Sequence, residues 1–461
     1  MAVKALYDQL NQGTLTSVKL VEDALSAIDT YDVTLNAVAE INGDAMKEAK
    51  ALDLERTHSG PRSKLHGIPV LLKDNINTSD GLLTTAGSLS LIDNHATYEA
   101  TLVKKLRKAG AIILGKANLS EFAYFMHQKG MPSGYSSRAG QVVNPYGKDL
   151  DPLGSSTGSA VAVAAGYVPL AVGTETSGSL MAPAYHTSTV SIKPTVGLIS
   201  RYGIIPVSYV QDTAGPMGRS VADCAIMLEV MKGLDVDDEA TMPVPTWSDD
   251  YEKAIHGPLK GLTVGLLKDR EFDAADDARV QELTHLLESQ GVTVKAIDFK
   301  PFPHDVYPAM LYEFKVSIQK YLDSVQPIQM KSLEDIIAFN EKHADVCLKY
   351  GQSILEAASA LPGDLSHPDY LAARKKADDE AEQFASLYDT HGLDAIISFS
   401  WNSYGPALGL PSVVVPAKDL VQDLTPKSFV FMGPKWSEST LIALAHHYEI
   451  NTQYFKPPKL S

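Results

Sequence analysis

Two Gly/Ser-rich stretches and one lysine carry the residue types that acyl-transfer chemistry needs. The first stretch is Gly154-Ser155-Ser156-Thr157-Gly158-Ser159, leading into the Ala/Val-rich helical pattern of 160–165. The second is Gly173-Thr174-Glu175-Thr176-Ser177-Gly178-Ser179, which follows the apolar Leu170-Ala171-Val172. Small residues let main-chain N–H groups approach a ligand closely, and a helix N-terminus adds donors that favour negative charge. A serine hydroxyl is a weak nucleophile until a neighbour takes its proton. Lys73 closes an apolar run containing Ile68, Val70, Leu71 and Leu72, surroundings that disfavour an ammonium. Lowering its pKa by ~3 units would cost about 4 kcal/mol, so such a site must be buried and rigid. Each residue has a plainer role open to it: the serines as helix caps, the lysine as a surface group or a partner of Asp74.

Two other motifs can be set aside. No GxxxxGK[ST] phosphate loop lies near these stretches. Gly154-x-Ser156-x-Gly158 satisfies the GxSxG elbow pattern, but an elbow needs a strand directly before it. Here the approach is Asn144-Pro145-Tyr146-Gly147 through Asp151-Pro152, which reads as loop. Replacing Ser156 is therefore expected to be mild.

Taken in order, these segments resemble the amidase signature family. The likeness runs from about residue 67 to about 220 and resumes at Gly409-Leu410-Pro411-Ser412 and Gly433-Pro434-Lys435-Trp436. Lys73-Asp74-Asn75 matches the family's lysine strand, and the two serines stand 24 positions apart, as the family requires. Lys193-Pro194-Thr195 and Asp212-Thr213-Ala214-Gly215-Pro216 match downstream signatures. The resemblance implies Ser179 as nucleophile, Ser155 (after a cis peptide) as relay and neutral Lys73 as base. It places the oxyanion hole on the N–H groups of Thr176, Ser177, Gly178 and Ser179. It implies hydrolysis of a carboxylic amide, and by the same chemistry an ester or carbamate, without metal or organic cofactor.

The chain departs from the family beside the nucleophile. Ser177 replaces Gly or Asp, Leu180-Met181 replaces Ile-Arg, and Tyr185-His186-Thr187-Ser188 replaces a segment with Asn and Gly. Ser191 and Leu153 stand where glycines are common. Met181, Tyr185 and His186 are thus the candidate substrate-binding residues, and Glu175, Asp74 and Asn75 are read as scaffold. The 396–410 stretch, with Trp401, Asn402 and Tyr404, is expected to remodel one pocket wall. A glutaminase subunit of an amidotransferase is a second reading, disfavoured by the missing arginine. A catalytically silent amide-binding member is a third.

The surrounding pattern is strand, helix, strand. The run ending at Lys73, a helix through Leu102 and Leu106 stopped by Gly110, and Ala111-Ile112-Ile113-Leu114 predict a βαβ unit. A second is predicted from Leu262–Leu266, a helix through Leu283 and Leu287, and Val292–Val294. The expected fold is α/β, the amidase signature fold: a mixed, mostly parallel twisted sheet with helices on both faces. One domain is expected over 1–461, with core at about 60–230 and 390–461. The region at about 300–390 is read as variable and mostly helical on the substrate side, with Ser332 and Pro368 as helix starts. Residues 234–259, acidic and bearing Pro243, Pro245 and Pro258, read as a surface connection.

Composition agrees with a globular enzyme. The 461 residues are 44% hydrophobic with a net charge of −16, a balance that repels phosphate backbones and anionic lipid. A small-molecule partner is therefore expected, with no nucleic acid and no membrane; a homodimer is left open. Lys104, Lys105, Arg107 and Lys108 are read as a solvated helix face. Cys224 and Cys347 show no metal spacing and read as buried thiols in a reducing compartment. With no signal-like N-terminus, the expected location is cytoplasmic.

Overall fold

The computed structural model describes residues 2–242, 249–417 and 426–460. Among these residues thirteen strands occur, numbered in chain order. They are β1 (Val38–Ile41), β2 (Pro69–Lys73), β3 (Ile112–Ala117), β4 (Tyr135–Ser136), β5 (Gly140–Gln141), β6 (Leu170–Glu175) and β7 (Val190–Lys193). The rest are β8 (Thr213–Gly218), β9 (Thr263–Lys268), β10 (Thr293–Asp298), β11 (Ala395–Ser398), β12 (Ser412–Pro416) and β13 (Ser428–Met432). Eleven of them form one sheet in the order β1-β3-β2-β6-β8-β7-β12-β13-β11-β9-β10.

Parallel pairing is concentrated in two blocks. β2 lies parallel to both β3 and β6, and β9 lies parallel to both β10 and β11. These blocks are the two βαβ units read from the sequence, with helices Thr101–Lys108 and Ala274–Ser289 as crossovers. Antiparallel strands β8, β7, β12 and β13 join them.

Side-chain alternation along β2 separates the two faces. Val70 and Leu72 pack in the cluster that holds Val103 and Leu106 of the crossover helix. Leu71 packs on the other face with Val21 and with Val161 of helix Thr157–Ala165. Lys73, two residues after Leu71, shares that second face, toward the helix that follows Ser155 and Ser156.

Two helices start at the residues read as start signals. Ser332 caps helix Leu333–Lys342 by accepting from Asp335 N (3.1 Å), and Pro368 opens helix Pro368–His391. Helix Tyr307–Ser324 buries Phe314, Ile318 and Tyr321 against Phe122, Phe125, Ile205 and Val207.

Two surface expectations need correction. In the basic helix only Lys104 and Lys108 are exposed. Arg107 is half-buried against Glu48, Glu99 and Asp80, and Lys105 donates to the carbonyls of Lys232 (2.7 Å) and Gly233 (3.1 Å). Residues 234–259, read as a surface connection, are partly buried among the described ones: Asp238 pairs with Arg201 in a buried bridge and Tyr251 is buried. Pro243 and Pro245 lie outside the described residues. No helix among the described residues is long and apolar enough to cross a membrane.

Candidate active site

The parallel block β3-β2-β6 presents its C-terminal strand ends side by side, the usual place for a ligand in a parallel sheet. Leu72 pairs with Val172, so Lys73 at the end of β2 stands beside the Gly173-Thr174 end of β6. Beyond β6 the chain turns through Thr176–Ser179 and enters the short helix Met181–His186. Gly178 takes φ +89°, and a Cβ there would lie 2.9 Å from Trp401 Cδ1, so only glycine suits this turn.

Glu175 holds the far side of the turn. Its carboxylate accepts from Leu180 N (2.6 Å) and Met181 N (3.1 Å), fixing the helix start that carries Ser179. The other serine loop reaches over from the start of helix Thr157–Ala165, with the Gly154–Ser155 peptide bond cis. Ser156 N donates to Ser179 O (3.2 Å), tying the two loops together.

Lys73 is fully buried among oxygens. Its Nζ lies 2.8 Å from Ser155 Oγ, 3.0 Å from Ser156 Oγ, 2.9 Å from Thr174 Oγ1 and 3.2 Å from Thr174 O. Burial pushes its ammonium down from 10.5 to about 7, opposed by the negative charges of Asp212 and Glu175. Asn75 Nδ2 donates to Thr174 Oγ1 (3.0 Å), while Asp74 turns away to Arg138 (2.7 Å) and Thr85. Asp74, Asn75 and Glu175 therefore hold scaffold positions.

Ser156 is more engaged than its sequence context suggested. Its Oγ contacts Lys73, donates to Thr174 O (2.9 Å) and accepts from Thr174 N (3.1 Å). The signal was only a second serine beside the first. Two further groups had no sequence signal beyond the Asp212 motif. Asp212 Oδ1 accepts from Thr176 Oγ1, and Gln211 Nε2 donates to Thr176 O (3.2 Å). Burial raises the Asp212 carboxyl to about 6, against the donors that favour its charge.

Ser179 is 8% exposed. Among the described residues, the N–H groups of Ser177, Gly178 and Ser179 donate to no protein acceptor. Beside Ser177 opens a cleft of about 450 Å³, walled by Phe299, Phe302, Trp401 and Tyr404, with Asp269, His304, Ser400, Asn402 and Ser403 as polar groups. Met181 and Tyr185 are buried in a core cluster behind this wall, Tyr185 edge-on to Trp401 at 5.6 Å. His186 binds Asp151 O through Nδ1 (2.9 Å) and lies 6.4 Å from the Trp401 ring. The structure thus brings Lys73, Ser155 and the Thr176–Ser179 turn together. It sets Met181 and Tyr185 in the packing layer that supports Trp401.

The sequence departures have local partners. Ser191 Oγ donates to Leu180 O (3.0 Å), and Leu153 takes a positive φ of 55° immediately before the cis bond.

Known proteins resemble the chain over most or all of its length. The amidase family model matches residues 19–431. The native peptide amidase of Stenotrophomonas maltophilia superposes with a TM-score of 0.94 at 38% identity, covering 100% of this chain and 99% of that one. A probable amidase of Arabidopsis thaliana is 36% identical over 460 residues, 97% of this chain and 89% of that protein. One subunit of the glutamyl-tRNA(Gln) amidotransferase of Pseudomonas fluorescens is 31% identical over 474 residues, 95% of each chain. The chain belongs to the amidase family, as an amidohydrolase acting on amide C–N bonds.

Proposed function

We propose that the chain hydrolyses a peptide amide through an acyl-Ser179 intermediate, with Ser155 as proton relay and neutral Lys73 as base. The observation that carries this reading is a fully buried lysine amine 2.8 Å from a serine hydroxyl. A neutral lysine has two N–H donors and one lone pair. Ser156 Oγ gives its own proton to Thr174 O, so it accepts from Lys73; Thr174 Oγ1 takes the second N–H. The lone pair is then left for the Ser155 hydroxyl, the direction a base requires.

Ser179 Oγ adds to the amide carbon as its proton passes through Ser155 to Lys73. The main-chain N–H groups of Thr176, Ser177, Gly178 and Ser179 face the developing oxyanion, each contributing roughly 3–4 kcal/mol to the barrier reduction. The C–N bond breaks as the proton returns through Ser155 to the leaving nitrogen. Ammonia or amine departs, water repeats the route on the ester, and the acid is released. Esters and carbamates form the same tetrahedral centre and are expected as further substrates.

The acyl part is assigned to the cleft beside Ser177, whose four aromatic walls offer contact to an apolar side chain and whose Asp269, His304 and Asn402 offer polar contacts to a peptide backbone. The likeness to a peptide amidase over the whole chain supports a peptide as that acyl part. Met181, Tyr185 and His186 act on it through Trp401. Two buried free thiols, Cys224 and Cys347, support work in the reducing cytoplasm. The reading is tested by fluorophosphonate labelling mapped to Ser179, and by ammonia release from a panel of peptide amides, aryl amides and esters. Labelling elsewhere, or turnover of none of the panel, would refute it.

A further inference from the structure

Thr176 is held from outside the site by two buried arms. Gln211 Nε2 donates to Thr176 O (3.2 Å), and Gln211 Oε1 accepts from Arg374 Nη1 (2.9 Å) on helix Pro368–His391. Arginine only donates, which fixes the orientation of the Gln211 amide. In the second arm Thr176 Oγ1 donates to Asp212, and Asp212 Oδ2 accepts from Ser208 N (2.9 Å). Ser208 Oγ in turn donates to Glu313 (2.5 Å) on helix Tyr307–Ser324. Tyr370 donates to the same carboxylate (3.1 Å), and Arg374 stands 3.7 Å from it. Gln211, Ser208 and Glu313 are all buried.

A trans peptide unit is planar and its C=O and N–H point in opposite directions. The unit whose carbonyl belongs to Thr176 carries the N–H of Ser177. Drawing that carbonyl to Gln211 turns the Ser177 N–H the other way, and among the described residues that N–H has no protein acceptor. We infer that Gln211 and Arg374 are positioning residues that aim the Ser177 N–H at the oxyanion. The helical layer thereby sets a catalytic dipole without touching the substrate. The inference rests on the assignment of Ser179 as nucleophile and of the turn before it as oxyanion hole.

A donor that acts on the tetrahedral state changes kcat more than ground-state binding. The test compares Gln211→Glu, Arg374→Met and Arg374→Lys with the native enzyme. N-acetylphenylalaninamide serves as substrate. N-acetylphenylalaninal, whose reversible adduct with Ser179 is tetrahedral, serves as inhibitor. Gln211→Glu keeps the shape and the Arg374 contact but loses the N–H to Thr176 O. Its kcat is expected to fall about 10–100-fold with KM within about threefold, and the aldehyde Ki to rise by the same factor as kcat falls. Arg374→Met shows a smaller parallel loss that Arg374→Lys recovers, and this pair decides the matter if Gln211→Glu does not fold. Unchanged kcat in the folded variants overturns the inference. So does a loss confined to KM, or one not matched in Ki. Fluorophosphonate labelling of the native enzyme separates the two readings: if Ser179 is labelled and kcat is unmoved, only the positioning role falls.

Discussion

Lys73 and Lys193 are each the last residue of a strand in the same sheet, and each is fully buried. Burial lowers both, Lys73 to about 7 and Lys193 to about 8. Their neighbours differ in kind. Lys193 Nζ donates to the carbonyls of Leu410 (2.7 Å) and Pro194 (3.3 Å), groups that accept and never return a proton. Lys73 faces the hydroxyls of Ser155, Ser156 and Thr174, which both give and take one. A depressed lysine pKa therefore does not by itself identify a base. What sets Lys73 apart is its hydroxyl neighbours, of which Ser155 is the proposed link to Ser179.

Substitutions at the two lysines are the means of breaking this comparison. Ser179→Ala should abolish amide turnover, and Lys73→Met should lower kcat about 10³–10⁴-fold, since both proton transfers lose their base. Steady-state ammonia release measures each. The same Lys73→Met change should stabilise the fold. Between pH 7 and 10.5 the unfolded chain binds a proton at this lysine that the native chain does not, so native stability rises with pH across that window. Below it the burial cost is present in full, about 5 kcal/mol. Denaturant unfolding of Lys73→Met should show a gain of about 2 kcal/mol or more at pH 7, fading towards pH 10.5. A loss of stability at pH 7 would show that the amine is not under burial stress.

Ser156→Ala removes one of the four oxygens around Lys73 and two links to Thr174, and should cost about 10–100-fold in kcat. No effect would return Ser156 to the role of a simple turn residue. Lys193→Met is the contrast. It relieves burial of the same kind while leaving Leu410 O without its donor, so its two stability terms oppose each other, and kcat of the folded enzyme should stay within about threefold. A large kcat loss there would erase the distinction drawn between the two lysines.

Much of the site was legible because its parts are local. The run ending at Lys73 is too short for a helix and too apolar for a surface strand, and the serine stretches are short and glycine-punctuated. The βαβ units were legible for the same reason, from lengths and stops. What could not be read were contacts that only the fold creates. Gln211 and Arg374 stand 163 positions apart. Arg107 looked like one of four surface cations until three carboxylates from separate segments closed on it. Met181 and Tyr185 follow Ser179 so closely that a substrate role was the natural expectation. The turn at Gly178 instead sends the chain back into the core, and Trp401, just beyond the end of β11, supplies the cleft wall.

The central claim is that Lys73 works as an uncharged base on Ser179 through Ser155. The rate of Ser179 modification by a fluorophosphonate, followed from about pH 5 to about pH 9 in the native enzyme and in Lys73→Met, tests it without any assumption about substrate. A rise with an apparent pKa near 7 that disappears in Lys73→Met is the predicted result. A flat native profile, or the same rise in Lys73→Met, would contradict it.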